Sequence, residues 1–144
     1  MKLNAFGDVC LRILMLLGSR EGEQLTSRAV AEAIGIPYNH VSKAVLELGR
    51  RGALEVARGR TGGARITPAG LGLSVGSLLR SLDEQPDVVD CTSGDHACPL
   101  IAGCRLRGAL NRAREAFYAE LDPLTIADLT RDPRLVRLPL PTFP

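Results

Sequence analysis

Gly35 and Pro37 stand two residues apart between two short runs of helically spaced apolar residues, and no other feature narrows the fold as far. Upstream, Val30 and Ile34 follow Thr26, a residue type that caps helix starts, and Gly35 suits the left-handed stop position. Downstream, Pro37 fits the first turn of a second helix, in which Val41, Val45 and Leu48 face inward before Gly52 ends it. Two short helices joined by a tight glycine-containing turn form a helix-turn-helix. The neighbouring segments fit around it. Leu3, Phe6, Val9, Cys10, Ile13, Leu14, Leu16 and Leu17 recur at three- and four-residue intervals, predicting a first helix with Asn4 as its cap and Gly18 near its end. Leu54–Ala57 and Ala64–Thr67 alternate like strands, and Arg58-Gly59-Arg60-Thr61-Gly62-Gly63 between them reads as a hairpin tip. Thr67 and Pro68 open a fourth helix that runs to Leu82. The expected fold is mainly α: a winged helix-turn-helix domain over residues 1–82 with a two-stranded wing, followed by a long C-terminal dimerisation helix.

Residues 83–104 read as an acidic loop carrying Cys91 and Cys98. Pro99 is placed to start the long helix, which runs to about Glu120 with Leu106, Leu110, Ala113, Phe117 and Leu121 as an apolar stripe and Arg105, Arg107, Arg112 and Arg114 on its other faces. Thr125 with Asp128 caps a short helix, completing a dimerisation unit over 99–130. Pro133, Pro139, Pro141 and Pro144 make 131–144 an irregular tail. A domain this small has little interior to offer the stripe, so a symmetric homodimer through the long helix is the simplest partner surface.

Charge assigns a partner to the first half. Residues 1–82 carry 11 Lys or Arg against 6 Asp or Glu, a net +5, whereas 83–144 carry 7 against 10, a net −3. Polyanions are drawn to the basic half. With two Tyr, three Phe and no Trp, the chain lacks the aromatic platforms of a single-strand binder, so double-stranded DNA is the better polyanion. In a winged helix-turn-helix the second helix enters the major groove, which here would present Tyr38, Asn39, His40, Ser42 and Lys43 to base edges or phosphates. The wing adds Arg58, Arg60, Thr61, Gly62, Gly63 and Arg65, and Ser27 with Arg28 offers a phosphate the start of the preceding helix. No apolar run approaches the roughly 20 residues of a membrane span. The N-terminus does not resemble a signal peptide, which implies a cytoplasmic protein. No nucleophile–base pair or phosphate loop stands out, and the two histidines, His40 and His96, are already placed on the reading helix and in the acidic loop, so an enzyme is not expected.

Disulfides are rare in the cytoplasm, so Cys91, Cys98 and Cys104 point to metal or redox chemistry. Cys-x6-Cys-x5-Cys puts three soft ligands on one loop and the adjoining helix start, a set that suits iron or zinc. Cys10 belongs to the apolar face of the first helix and reads as a core thiol. One ligand of the usual four is missing.

Seven segments together carry a resemblance: Phe6-Gly7-Asp8 with Leu11-Arg12, Pro37 to Ala44, Arg58 to Gly63, Val88 to Cys91, Cys98-Pro99-Leu100, Cys104-Arg105-Leu106 and Leu121 to Thr125. On these the chain resembles the Rrf-two family of bacterial winged-helix regulators, and within it the nitric-oxide-sensing repressors. The resemblance implies a homodimer bound to a palindromic operator, with the three cysteines holding an iron-sulfur cluster, 4Fe-4S favoured over 2Fe-2S. It also implies that Asp8, from the partner subunit's first helix, completes the site and that nitric oxide is the signal. Arg107 stands where related cluster-assembly regulators carry a histidine, which disfavours that subgroup. His96 inside the loop is an alternative fourth ligand, and Asp8 four residues before Arg12 also suits a plain exposed ion pair. Two rival readings are a redox-sensing two-iron regulator and a winged-helix protein with a structural zinc or disulfide site.

Overall fold

The computed structural model describes residues 3–85, 87–91 and 98–142. His96 lies outside them, as do Pro86, Asp95 and Pro144. The described chain is helical around one small antiparallel sheet: α1 Ala5–Gly18, α2 Ser27–Ile34, α3 Tyr38–Arg50, β1 Leu54–Ala57, β2 Gly63–Ile66, α4 Pro68–Leu71, α5 Val75–Leu82, α6 Arg105–Leu121, α7 Ile126–Leu129 and α8 Pro133–Val136.

Sequence punctuation fixes most of these boundaries. Asn4 accepts the Phe6 amide at the head of α1, and Thr26 accepts that of Ala29 at the head of α2. Gly35 closes α2 in the left-handed conformation at φ 66°, which only glycine adopts at little cost. Val30, Val41 and Leu48 then pack with Ile13, Leu14, Leu16 and Leu17 of α1 in a fully enclosed core. In the sheet, Leu54 pairs with Ile66 and Glu55 with Arg65, a register that turns Leu54, Ala64 and Ile66 inward. Leu25 bridges to Ala64 on the sheet's other edge, tying the approach to α2 onto the wing. The helix-turn-helix and its wing are therefore as expected.

Three expectations about the other elements change. The fourth helix is two helices. Ser74 caps α5 by accepting from Ser77, and the link around it pairs with the segment before α7: Val75 donates to the Leu124 carbonyl at 2.9 Å and Ile126 to that of Leu73 at 3.0 Å. A continuous helix would consume those backbone groups internally.

The long helix starts at Arg105 and not at Pro99. Gly103 takes φ 83°, incompatible with a helical turn, so Cys104 becomes the N-cap. Nor is the anchor of α6 the expected stripe. Tyr118 is its buried residue, with Leu110, Phe117 and Leu121 half-buried beside it, while Leu106 is 65% exposed.

The tail is partly ordered. Asp132 caps the single turn α8, and Arg20 donates to the carbonyls of Val136 and Leu138 at 3.0 and 2.7 Å. Long-range side-chain bonds of this kind do not show in local composition.

Candidate nucleic-acid interface and metal centre

α3 presents Tyr38, Asn39 and His40 exposed at its first turn, with Lys43 exposed one turn on and Ser42 half-buried. The buried face of the same helix, Val41, Ala44, Val45 and Leu48, leaves these side chains no other direction. Arg28 and Tyr38 line one shallow groove of about 360 Å³ with Gly35 and Ile36, so the starts of α2 and α3 share a surface. Ser27 is half-buried beside it. The wing adjoins this surface through Gln24, whose amide donates to the Thr61 carbonyl at 2.7 Å. Gln24 was not anticipated, because a side chain holding a hairpin tip from outside has no spacing signature.

The basic residues differ in their freedom. Arg28, Arg58 and Arg60 are exposed and make no ion pair among the described residues. Arg65 reaches across the strand pair to Glu55 at 2.6 Å, and Lys43 sits over the Phe6 ring at 5.4 Å. Gly62 and Gly63 have packing reasons of their own: a Cβ on Gly63 would meet the Leu25 backbone at 2.7 Å, and one on Gly62 the Gly59 carbonyl at 2.8 Å.

The cysteines are set by the head of α6. Cys104 caps that helix through its sulfur, which accepts the Arg107 amide at 3.5 Å. Cys98 donates its own amide to the Cys91 carbonyl at 3.1 Å, closing the loop between them. All three are half-buried free thiols. Burial raises the Cys91 thiol above its ordinary value; the nearby Cys98 adds to the rise, the Arg107 guanidinium opposes it, and Cys104 and Asp87 add to it again. Among the described residues no three Cys, His, Asp or Glu side chains converge as one ion requires. Tetrahedral zinc needs sulfurs at about 2.3 Å from a common centre. Three free thiols are the donor type that an iron-sulfur cluster takes, one thiolate per iron, so the donor set fits such a group.

The acidic loop is stitched to α6. Asp83 accepts the Tyr118 hydroxyl at 2.6 Å, and Arg114 donates to the Gln85 carbonyl at 2.7 Å. Asp87 is bound by Arg107 through both carboxylate oxygens, at 2.9 and 2.6 Å, and by Asn111 at 2.7 Å. Arg107 is thus no vacant ligand position. These partners were missed, although Arg107, Asn111, Arg114 and Tyr118 repeat at helical intervals and could have been read as the face of α6 turned to its own chain.

Asp8 stands on α1, 43% exposed, and forms the expected ion pair with Arg12 at 3.0 Å. Cys10 is enclosed, and burial pushes its thiol up to about 12, which leaves it protonated in the core.

The family model described as an iron-dependent transcriptional regulator, Rrf2, matches residues 3–132. The chain belongs to the Rrf2 family. It is similar to the HTH-type transcriptional repressor NsrR of Streptomyces coelicolor, at 50% identity over 92% of this chain and 90% of that protein. It is also similar to the HTH-type transcriptional regulator NsrR of Geobacillus kaustophilus, at 38% identity over 92% and 91%. Among solved structures, the fold matches T. potens IscR with a TM-score of 0.68 at 17% identity over 98% of this chain and 94% of that one. It matches the oxidized form of Staphylococcus aureus CymR with a TM-score of 0.66 at 23% identity over 90% and 96%. Like other Rrf2 members, this chain is a winged-helix transcriptional regulator and not an enzyme. No helix among the described residues is long and apolar enough to cross a membrane.

Proposed function

We propose that this Rrf2 regulator is a homodimeric repressor whose binding to a palindromic operator is controlled by an iron-sulfur cluster that reacts with nitric oxide. The observation that carries the reading is a set of three half-buried free thiols, Cys104 capping α6 and Cys98 bonded through its backbone to Cys91, in a chain whose first half is a winged helix. The 50% identity with a repressor supports the direction of regulation.

Cys91, Cys98 and Cys104 would hold a 4Fe-4S cluster, with Asp8 of the partner subunit as fourth ligand. When bound, the cluster supplies iron that nitric oxide can attack, most readily where the ligand is a hard carboxylate. Asp8 is available for this. Its pair with Arg12 is an exposed contact between residues one turn apart, worth about 0.5 kcal/mol or less, and would not hold it against a metal bond. α1 packs against α3, so an anchor on Asp8 links the cluster to the reading helix and thereby to the spacing of the two half-sites.

Tyr38, Asn39, His40, Ser42 and Lys43 then face the major groove, and Arg58, Arg60, Thr61 and Arg28 approach the backbone. The exposed apolar side of α6, with Leu106 and Ala113, and the neighbouring Leu100 are covered by the second copy.

The test is anaerobic purification followed by nitric oxide titration while operator binding is monitored. The expected result is loss of binding as the cluster reacts, and retained binding after complete reaction would overturn the proposal. Asp8→Ala should give a less stable cluster, and an unchanged one removes Asp8 from the ligand set. Iron and sulfide analysis distinguishes four-iron from two-iron clusters, and a colourless protein with one zinc per chain would indicate a structural site.

A further inference from the structure

We propose that Arg107 is a positioning residue that fixes Cys91 relative to Cys104, acting through Asp87 and Asn111; this rests on the reading of the cysteines as cluster ligands. Arg107 joins one end of the ligand set to the segment that leads into the other. Its amide donates to the Cys104 sulfur at 3.5 Å, while its guanidinium grips Asp87, four residues before Cys91, at 2.9 and 2.6 Å.

Asn111, one turn further along α6, completes the clamp. Its amide nitrogen donates to Asp87 at 2.7 Å and its oxygen accepts the Val88 amide at 3.3 Å. The Asp87 side chain is only 9% exposed although it lies in an acidic loop, because these donors enclose it. The Cys98 amide on the Cys91 carbonyl then extends the constraint to the third sulfur. The segment entering the loop is therefore fastened to the same two turns of helix that Cys104 caps.

The chemistry of the side chain suits this role and no ligand role. A guanidinium remains protonated and offers no lone pair to iron, but its planar fork matches a carboxylate through two parallel bonds. A lysine carries the same charge without the fork. Arg107 consequently supplies order to the three thiols while leaving the fourth coordination position to a group from elsewhere.

The experiment compares Arg107→Ala, Asp87→Asn and Arg107→Lys with wild type after anaerobic cluster reconstitution. The first two should lose iron to a ferrous chelator about tenfold to a hundredfold faster, the scale on which groups that orient metal ligands act. Their visible circular dichroism should change, and Arg107→Lys should fall between them and wild type. The metal-free chains should keep the wild-type thermal midpoint, while the Val88 amide exchanges faster. Unchanged chelator rates and spectra overturn the proposal, as does a lowered thermal midpoint that alone accounts for the faster loss. Wild-type chain that takes up no iron and sulfide overturns the cluster reading instead. In that case Val88 exchange in the metal-free chain still decides the clamp: unchanged exchange in Arg107→Ala removes it, and faster exchange retains it.

Discussion

The winged-helix half and the α6 half of this chain treat their apolar residues in opposite ways. Among the described residues only Tyr118 and Ile126 of the buried core lie beyond Leu82. α1 and α3 enclose Ile13, Leu14, Leu16, Leu17, Val41 and Leu48, whereas the segment around α6 leaves Leu100 and Leu106 in solvent. The first half is complete within one chain. The second is held to it by Tyr118, Ile126 and the half-buried Phe117, Leu121, Leu124 and Leu129, with the Arg80–Asp122 pair across the seam, and among the described residues it leaves the apolar surface at Leu100 and Leu106 exposed. Close packing resists deformation and sparse packing permits rearrangement, so the two halves differ in how readily they can move.

The largest test of this contrast is Leu14→Ala. Leu14 is fully enclosed, and its truncation should cost about 3 kcal/mol of stability in urea unfolding of the metal-free chain. A loss as small as that of a surface change would mean the reader is not the rigid half.

Next is Gly76→Ala, at the seam. A Cβ there would strike the Tyr118 carbonyl and the Asp122 side chain and force α5 from α6, costing roughly 2 kcal/mol. Hydrogen exchange should rise at Tyr118 and Asp122 before it rises in α1.

Asp122→Asn weakens the same seam in a pH-dependent way. The Arg80 guanidinium, donating at 3.1 and 2.9 Å, holds the Asp122 carboxyl below its ordinary value of 3.8. The folded pKa is depressed, so the stabilisation is present above the ordinary value and is lost as pH falls through it towards the folded pKa. Thermal midpoints of wild type and variant should differ at neutral pH and converge in the acid range.

On the DNA side, Arg60→Ala should reduce the slope of log affinity against log salt by about 1, since one fewer phosphate is neutralised. Arg65→Ala should reduce it less, because Glu55 already occupies Arg65.

The smallest effect on the folded chain is expected from Leu106→Ser, within about 0.5 kcal/mol at concentrations where the chain is monomeric. Sedimentation should nevertheless show weakened self-association. A large loss of monomer stability would place Leu106 in the chain's own core and remove the contrast.

Legibility in the sequence follows the same division. The caps Asn4, Thr26 and Thr67, the stop at Gly35 and the apolar faces of α1 and α3 were readable because each depends on residues within one or two turns. The cysteine set and the exposed start of α3 were readable for the same reason. The break at Ser74 was not, since it depends on pairing with residues far along the chain, and the hold of Arg20 on the tail spans 116 positions. At the site, Arg107 was read as a residue on an outer face of the long helix and as the absence of a histidine. Its bond to Asp87 joins a loop to a helix across twenty residues, and no local spacing encodes it.

The sequence by itself determined the helix-turn-helix and the wing and marked three cysteines as candidate ligands, because hydrophobic period, turn residues and ligand type are local properties. Tertiary structure alone decided where α6 begins, which arginines are left without an ion pair among the described residues and what binds Asp87. Those depend on which distant donors and acceptors meet when the core closes.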